Sequence, residues 1–202
     1  MKKIILVGFF NEIVELCESL GYEIVGIVDK NKFDHAKFEY LGDDQYILNN
    51  ASIFKDTPVF LIPDIPIIRK KLFIAYKTAG FIIETIISPN AFISPTASIG
   101  EGCMIQTGCN ISSNVKIGTG VRVNSLANVM HDSVIGDFST LAPSSVILGR
   151  CVIGDEVYIG ANSTILPEVH VNNNSLIGAG AVVIRDVKAN VTVAGVPAVQ
   201  IA

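Results

Sequence analysis

The sequence predicts two domains, a small α/β domain over residues 1–88 followed by a β-solenoid over residues 89–202. The first observation is compositional: twelve of the fifteen Phe and Tyr residues precede residue 90, whereas twelve of the seventeen glycines follow it. The second is a change of period, because aliphatic residues recur every six positions in the second half alone. Two stretches with different composition and different periodicity indicate two domains.

The first half alternates short apolar runs with segments of helical spacing. Residues 3–8 (KIILVG) and 22–29 (YEIVGIVD) are apolar, and between them residues 11–21 place apolar side chains on one helical face. The same order of strand, helix and strand recurs at residues 59–62, 66–80 and 81–87. Such alternation is typical of a small parallel sheet with crossover helices. The tract of residues 30–56 has no clear pattern, and we assign no elements to it.

The second half follows a strict six-residue period. The sixteen positions reached by steps of six are all aliphatic: Ile93, Ile99, Ile105, Ile111, Ile117, Val123, Val129, Ile135, Leu141, Ile147, Ile153, Ile159, Ile165, Val171, Ile177 and Val183. Two residues before each stands Ala, Ser, Cys or Val. A period of six fits a solenoid with three flat faces per eighteen-residue coil, in which the aliphatic residue points inward and the small residue fits near a corner. We therefore expect roughly five stacked coils.

The four cysteines fit this register without any special chemistry. Cys103, Cys109 and Cys151 fall at the small inward position, and Cys17 lies on the apolar face of the first helix. Disulfides and metal sites need paired or clustered thiols. We predict four buried structural cysteines and no metal site.

Composition and charge exclude several classes of partner. The chain is 50% hydrophobic and 17% charged, with a formal net charge of −4 and a pI near 5.3, which disfavours nucleic acid as a partner. No apolar stretch approaches the roughly 18 residues that a membrane-spanning helix needs. The apolar run at the N-terminus, residues 1–10, lacks a cleavage site of small residues and is predicted to be a strand. We expect a cytoplasmic protein.

Several motifs carry a resemblance to a known family. The repeat of an aliphatic residue, glycine and four further residues occurs as IGEGCM, IGTGVR, IGDFST, IGDEVY and IGAGAV, accompanied by HDSVIGDFSTLAP and the ending VAGVPA. With these motifs the chain resembles the left-handed β-helix acyltransferases, and among them the nucleotide-sugar acetyltransferases related to bacillosamine N-acetyltransferase and sialic acid O-acetyltransferase. The resemblance covers essentially the whole chain and is most specific from about residue 90 onward.

This resemblance implies a fold and an activity. The front domain would be Rossmann-like and would bind the nucleotide of a nucleotide-linked deoxyamino sugar. The left-handed parallel β-helix would form a homotrimer and use acetyl-CoA as co-substrate, without a metal. The implied reaction is acetylation of the sugar's amino group in surface glycan or glycoprotein biosynthesis.

The pair His131-Asp132 is the candidate catalytic site. In the six-residue register His131 is the second residue after inward Val129, so we expect its side chain to point outward. Its neighbours one coil away are the small residues Ser113 and Gly149, which leave a hollow around the imidazole. A histidine near neutral pKa suits the proton transfer that attack on a thioester requires. The resemblance implies that His131 is the general base, with Asp132 as its acidic partner; alternatively, Asp132 pairs with Arg150 on a solvated face.

The resemblance also implies positions around that pair. Asn124 matches a polar residue that lines the same cleft, and Ser144 matches the position whose backbone N–H stabilises the oxyanion, where relatives usually carry glycine. The remaining candidates for binding coenzyme A are Gly149 and the small or basic residues toward the C-terminus: Gly160, Ala161, Gly178, Ala179 and Arg185.

The front domain departs from the family pattern. Relatives have a glycine-rich loop after the first strand, whose amides approach a diphosphate. Here only Gly8 remains, followed by Phe9 and Phe10, which are too bulky for such a cradle and are candidates for stacking on a base or sugar. Asp29 stands at the end of the second apolar run, where an acid can bind ribose hydroxyls. Arg69 matches a family arginine and is the last substrate-binding candidate.

Three other functions deserve comparison with N-acetylation. The same chemistry on a hydroxyl would make the chain an O-acetyltransferase of the sialic acid type. A non-catalytic trimeric β-helix binding module is the second alternative, although the His-Asp pair argues against it. The third, a β-helix carbonic anhydrase, needs three zinc-binding histidines. The solenoid half contains only His131 and His170, so this function is excluded.

Overall fold

A computed structural model of the protein describes residues 2–32 and 37–202. The chain forms two compact units. The first comprises Met1–Asp64 and Ile68–Ile86, and the second comprises Ile65–Ile67 and Ile87–Ala202.

The first unit is a four-stranded parallel sheet with helices. Its elements are β1 (Lys2–Val7), α1 (Asn11–Ser19), β2 (Tyr22–Val28), β3 (Tyr40–Gly42), α2 (Asp44–Asn49), α3 (Ala51–Phe54), β4 (Val59–Leu61) and α4 (Pro66–Thr78). The strand order is β3-β2-β1-β4, and every pair is parallel. The run predicted as a strand over 81–87 forms a single bridge between Ile83 and Val59 and then β5 (Ile86–Ile87), which belongs to the eight-stranded sheet that continues through the solenoid.

The sheet of the first unit is built from the apolar runs seen in the sequence. The last four residues of β1 are buried, as are Ile13 and Cys17 on the inner face of α1. The unassigned tract after residue 30 contributes β3, α2 and α3 within its described part. A side-chain cap begins α2, because Asp43 Oδ1 accepts a hydrogen bond from the Tyr46 amide at 2.8 Å.

The second unit is a three-faced parallel solenoid of two-residue strands. They are β6 (Phe92–Ile93), β7 (Ser98–Ile99), β8 (Met104–Ile105), β9 (Asn110–Ile111), β10 (Lys116–Ile117), β11 (Arg122–Val123), β12 (Asn128–Val129), β13 (Val134–Ile135), β14 (Thr140–Leu141), β15 (Val146–Ile147), β16 (Val152–Ile153), β17 (Tyr158–Ile159), β18 (Thr164–Ile165), β19 (His170–Val171), β20 (Leu176–Ile177) and β21 (Val182–Val183). Each pairs with the strand one coil away, so that Asn128 faces both Asn110 and Val146. Every third strand along the chain therefore belongs to the same sheet.

The solenoid core confirms the predicted register. Fourteen of the sixteen aliphatic positions are buried, and the remaining two, Ile93 and Ile99 of the first coil, pack against the same core. The third residue after the inward aliphatic residue often has a positive φ, as in Asn114 and Asp132. This left-handed backbone turns the chain from one face to the next.

The small inward residues also satisfy buried carbonyl groups. Their hydroxyl or thiol donates to a main-chain oxygen fifteen residues ahead in these pairs: Ser133 to Leu148 (2.9 Å), Ser139 to Gly154 (2.7 Å), Cys103 to Gly118 (3.0 Å), Cys109 to Asn124 (3.1 Å) and Cys151 to Leu166 (3.0 Å). Either serine or cysteine can occupy this position because each is small and carries a hydrogen-bond donor. The small inward position therefore selects residues for a hydrogen-bond donor as well as for small size.

The predicted state of the cysteines is confirmed. All four are buried and free. Burial raises the pKa of the Cys17 thiol to about 12 and that of Cys109 to about 11. These thiols are therefore protonated and inert at neutral pH.

The C-terminal tail folds back over the last coil. Strand β22 (Thr192–Ala194) pairs in parallel with β20, and β23 (Val199–Gln200) returns antiparallel to β22. Val193 enters the solenoid core and closes it. Within the described part of the chain, no helix is both long and apolar enough to cross a membrane.

Replacement of Ser139 tests the role of the buried donors. Its hydroxyl donates to Gly154 O and accepts from the Val157 amide at 3.0 Å. Ser139→Ala leaves both main-chain groups unsatisfied and should lower the free energy of unfolding by about 1–3 kcal/mol. Ser139→Cys should lose less, since other coils use cysteine at this position, and exposed Ser98→Ala should change little. Urea unfolding measures all three, and an unchanged Ser139→Ala variant would contradict the assignment.

Candidate active site

The His131-Asp132 pair lies in the turn that follows β12. The Asp132 backbone has a φ of 59°, in the left-handed region, and its amide donates to Ser113 O at 2.9 Å in the preceding coil. The side chains of His131 and Asp132 are 46% and 47% exposed. The turn therefore presents both groups to solvent.

The two side chains and Asn114 form a hydrogen-bonded chain. His131 Nδ1 lies 2.9 Å from Asp132 Oδ2, and Asn114 Nδ2 donates to Asp132 Oδ1 at 2.9 Å. These hydrogen bonds, first that of Asn114 and then that of His131, hold the pKa of the Asp132 carboxyl below its usual range. An ionised carboxylate only accepts hydrogen bonds, so Nδ1 carries the proton. In the neutral imidazole the lone pair is then on Nε2, which is the nitrogen available as a base.

Arg150 has a different carboxylate partner from Asp132. Its Nε and Nη2 atoms lie 2.9 and 2.8 Å from Glu168 Oε1, one coil further on. Arg150 contributes only its charge to Asp132, as the last of the influences on that pKa. The alternative in which Asp132 pairs with Arg150 is therefore not the arrangement in the structure.

Gly149 provides the hollow in which the imidazole lies. A Cβ atom added to Gly149 would lie 2.7 Å from both Cε1 and Nε2 of His131, so the ring packs directly over this glycine. Other turns carry Ala161 and Ala179 at the equivalent position, which shows that the backbone of the turn accepts alanine. Glycine at 149 is therefore explained by the imidazole and not by the turn.

The Ser144 amide, expected to stabilise the oxyanion, is not free to do so. Its amide already donates to Ser125 O at 3.0 Å, because Ser144 occupies the ladder position of its turn. Among the described residues, by contrast, none accepts a hydrogen bond from the amide of Gly149. Gly149 lies one full coil after His131, as the eighteen-residue register predicted.

Asn124 is buried at the turn after β11, whereas His131 follows β12. The two residues therefore stand at successive corners of one coil.

The candidates for binding coenzyme A fall into two groups. The space beside Gly160 is filled by backbone atoms of Ile177 and Ala179, and the space beside Gly178 by Ala194. The expectation that these glycines open a groove is therefore wrong, because each is needed for close stacking of coils. Ala179 and Arg185 are exposed and Ala161 is partly exposed, so these three remain accessible.

The candidates of the first unit gather at the carboxyl ends of β1 and β2. Gly8 ends β1 with a φ of 94°, which glycine adopts without strain, and Phe10 is the N-cap of α1. The Phe9 ring lies 6.5 Å from the Phe38 ring, and Phe10 is 53% exposed. Asp29 follows β2, and its Oδ1 accepts the Asn31 amide at 3.0 Å.

A pocket of about 340 Å³ lies beside this end of the sheet. It is lined by Glu39, Tyr40, Leu41, Gly42, Tyr46 and Phe54. The Tyr40 hydroxyl donates to Asp29 O at 3.2 Å, and the Asp29 amide donates to Gly42 O at 3.2 Å. The pocket is thus directly adjacent to Asp29.

Arg69 does not reach this site. Its side chain is completely buried, and Nη1 donates to Pro63 O at 3.0 Å and to Asp64 O at 2.8 Å. The predicted role in substrate binding is therefore wrong: the guanidinium secures the segment after β4. Sequence reasoning failed because a buried arginine that serves main-chain carbonyls looks like any other arginine of a helix.

The described residues contain no group of three or more His, Cys, Asp or Glu side chains that could hold a metal ion.

Comparison with known proteins agrees with the fold of the chain. Residues 150–185 match the family described as bacterial transferase hexapeptide (six repeats). The whole chain superposes on a variant of perosamine N-acetyltransferase from Caulobacter crescentus in complex with CoA and GDP-perosamine, with a TM-score of 0.94, 25% identity and coverage of 100% of this chain and 98% of that one. The chain is a hexapeptide-repeat protein similar to sugar N-acetyltransferases. The resemblance inferred from the sequence is confirmed.

Two further structures extend the comparison. The acetyltransferase domain of PglB from Neisseria gonorrhoeae, in complex with acetyl coenzyme A, matches with a TM-score of 0.92 and 27% identity over 99% of both chains. WeeI from Acinetobacter baumannii matches with a TM-score of 0.88 and 27% identity over 99% of this chain and 100% of that one. No curated protein sequence matches the chain.

The hollow at Gly149 is tested by Gly149→Ala. The added methyl group would displace the imidazole by its close approach to Nε2, so we expect kcat for acetyl transfer to fall roughly tenfold or more. Thr107→Ala, which places alanine at the same turn position on another coil, is the control and should keep kcat. Steady-state kinetics measure both, and wild-type kcat in Gly149→Ala would show that the ring position is unimportant.

Proposed function

We propose that the protein transfers the acetyl group of acetyl-CoA to the amino group of a nucleotide-linked deoxyamino sugar, in surface glycan or glycoprotein biosynthesis. The observation that carries this proposal is the His131-Asp132 pair with Nε2 left as base. Its support is the similarity of the entire chain to a perosamine N-acetyltransferase whose structure holds CoA and GDP-perosamine.

The chemistry at His131 follows from the tautomer with a proton on Nδ1 and a free Nε2. The sugar amine attacks the thioester carbonyl, a C–N bond forms, and Nε2 of His131 takes the proton that the nitrogen loses. When the tetrahedral intermediate collapses, the C–S bond breaks and the imidazolium returns the proton to the departing thiolate of CoA. Asp132 stabilises the transient imidazolium and keeps the ring in the required tautomer.

The oxyanion of the intermediate needs a hydrogen-bond donor. We assign this role to the backbone N–H of Gly149 in place of Ser144. The Gly149 amide has no acceptor among the described residues and belongs to the residue that lies against Nε2. A main-chain donor is already fixed in position, so it costs no reorganisation during the reaction.

The solenoid is proposed to be left-handed and to work as a homotrimer. The turn that carries His131 projects outward from one prism, and a cleft around it needs a second wall. A neighbouring prism would supply that wall and would bring its own Asn124 toward His131, since the two residues stand at successive corners of each coil.

The first unit is proposed to be a Rossmann-like domain that binds the nucleotide. Its strand order β3-β2-β1-β4 matches the first four strands of the Rossmann order 3-2-1-4-5-6. Asp29 would bind ribose hydroxyls, and Phe9 or Phe10 would stack on the base or sugar. The pocket beside Asp29 would accept the rest of the nucleotide sugar. Gly8 is the only glycine at the first turn, so the phosphates would lack the usual cradle of amides.

For coenzyme A, the exposed residues Ala179 and Arg185 and partly exposed Ala161 are the proposed contacts, with Arg185 facing a phosphate. The cytoplasm is the proposed place of action, because a reducing compartment suits four free cysteines.

Loss of the base gives the first test of this function. His131→Asn keeps the polar outline of the ring but removes Nε2, and it should lower kcat by about 10²–10⁴-fold. The measurement is release of free thiol from acetyl-CoA with UDP-, dTDP- and GDP-linked 4-amino sugars as acceptors. His170→Asn, an exposed histidine on β19, is the matched control and should leave kcat unchanged.

Two outcomes of this assay would overturn the proposal. Unchanged turnover in His131→Asn would remove the mechanism. Turnover with free sialic acid, and with none of the amino sugars, would establish a hydroxyl acceptor instead.

Asp29 gives a separate test of nucleotide binding. In Asp29→Asn the side chain can still accept the Asn31 amide, but the charge-assisted bonds to ribose are lost. We expect KM for the nucleotide sugar to rise roughly tenfold, with KM for acetyl-CoA unchanged. Exposed Asp56→Asn is the control. Equal KM values for the sugar in Asp29→Asn and wild type would place the nucleotide elsewhere.

A further inference from the structure

We propose that Asn114 is a positioning residue for acetyl transfer: it fixes the carboxylate of Asp132, which in turn holds His131 in the tautomer with a free Nε2. This inference rests on the proposed function and adds a third member to its catalytic pair. Asn114 does not touch the reacting atoms, so its effect is transmitted through Asp132.

The backbone of Asn114 is hydrogen-bonded to the coil that precedes its own. It lies in the turn after β9 with a φ of 60°, and its amide donates to Thr96 Oγ1 at 2.9 Å. Thr96 Oγ1 in turn lies 3.0 Å from Ser94 Oγ. The backbone of Asn114 is thus anchored from below, and its side chain extends toward Asp132 above.

The orientation of the carboxamide follows from the chemistry of its neighbour. Asp132 Oδ1 only accepts, so the nitrogen of the carboxamide must face it, at the observed 2.9 Å. With Oδ1 bound to Asn114 and Oδ2 to His131, both oxygens have a directional partner. The plane of the carboxylate is therefore defined at two points.

The second point of attachment matters because the pair is exposed. Nearly half of each side chain of His131 and Asp132 is accessible to solvent. An exposed contact between two side chains alone holds its geometry weakly, since water and rotamer freedom compete with it. The Asn114 hydrogen bond removes rotation of the carboxylate, and it is also the largest cause of the lowered pKa of Asp132.

The other rungs of the same ladder make different contacts. Residues 114, 132, 150 and 168 stack at intervals of one coil, and the upper two are the Arg150-Glu168 ion pair. The carboxylate at 132 is thus served from below by a neutral donor. A neutral amide fixes the carboxylate without competing with the imidazole for its charge.

Glycine at position 114 tests the proposal without straining the backbone. Glycine adopts the left-handed φ readily, so Asn114→Gly removes only the side chain. We expect kcat to fall roughly tenfold, as for loss of one charge-assisted hydrogen bond, and KM for acetyl-CoA to change less than about twofold. Asn174→Gly, at a turn residue with a φ of 58°, is the matched control and should keep wild-type kcat.

The tautomer of His131 gives a readout that does not depend on activity. In ¹⁵N NMR spectra the wild type should show Nδ1 protonated and Nε2 bare, with the resonances assigned by comparison with His131→Asn. In Asn114→Gly a population of the opposite tautomer should become visible. In Asn114→Asp, where two carboxylates repel each other, the fixed tautomer should also be lost.

The outcomes separate this inference from the proposed function. A single Nδ1–H tautomer that persists in both Asn114 variants overturns the positioning role, whatever the activity. If the wild type transfers no acetyl group to any acceptor, the proposed function fails, and the tautomer comparison alone still decides the role of Asn114. Loss of the fixed tautomer in the Asn114 variants, but not in Asn174→Gly, supports it.

Discussion

The parallel hydrogen bonding between residues one coil apart is the constraint on which the rest of this structure depends. It places residue 131 between residues 113 and 149, and residue 132 between residues 114 and 150. The hollow beneath the imidazole, the donor to the carboxylate and the unoccupied amide at Gly149 all come from this single relation. The arrangement around His131 and Asp132 is therefore a product of stacking, with Asn114 and Gly149 supplied by the coils on either side.

The same stacking explains how an exposed site can be well ordered. Buried rows of aliphatic residues hold the coils in register. Ser hydroxyls and Cys thiols donate hydrogen bonds to main-chain carbonyls that the strand ladder leaves unpaired. The turns between faces are thereby fixed even where their side chains reach into solvent. Asp132 adopts a left-handed backbone in such a turn, and this directs its carboxylate along the stack toward Asn114.

The periodic part of the molecule was predictable and the irregular part was not. The six-residue rule identified the solenoid core and the outward direction of His131 because every coil repeats the same physical demand. It failed to identify Arg69 as buried, and it left β3 and α2 unassigned, because those features depend on contacts without a period. Ser144 was preferred as oxyanion donor on resemblance, whereas the register itself pointed to Gly149 through its distance of one coil from His131.

A crystal structure with CoA and a nucleotide-linked 4-amino sugar tests the central claim most directly. The account predicts that the sugar nitrogen lies within about 2.6–3.2 Å of His131 Nε2, on the side of Gly149. An acceptor amine bound away from Nε2, with His131 Nδ1 released from Asp132, would contradict it.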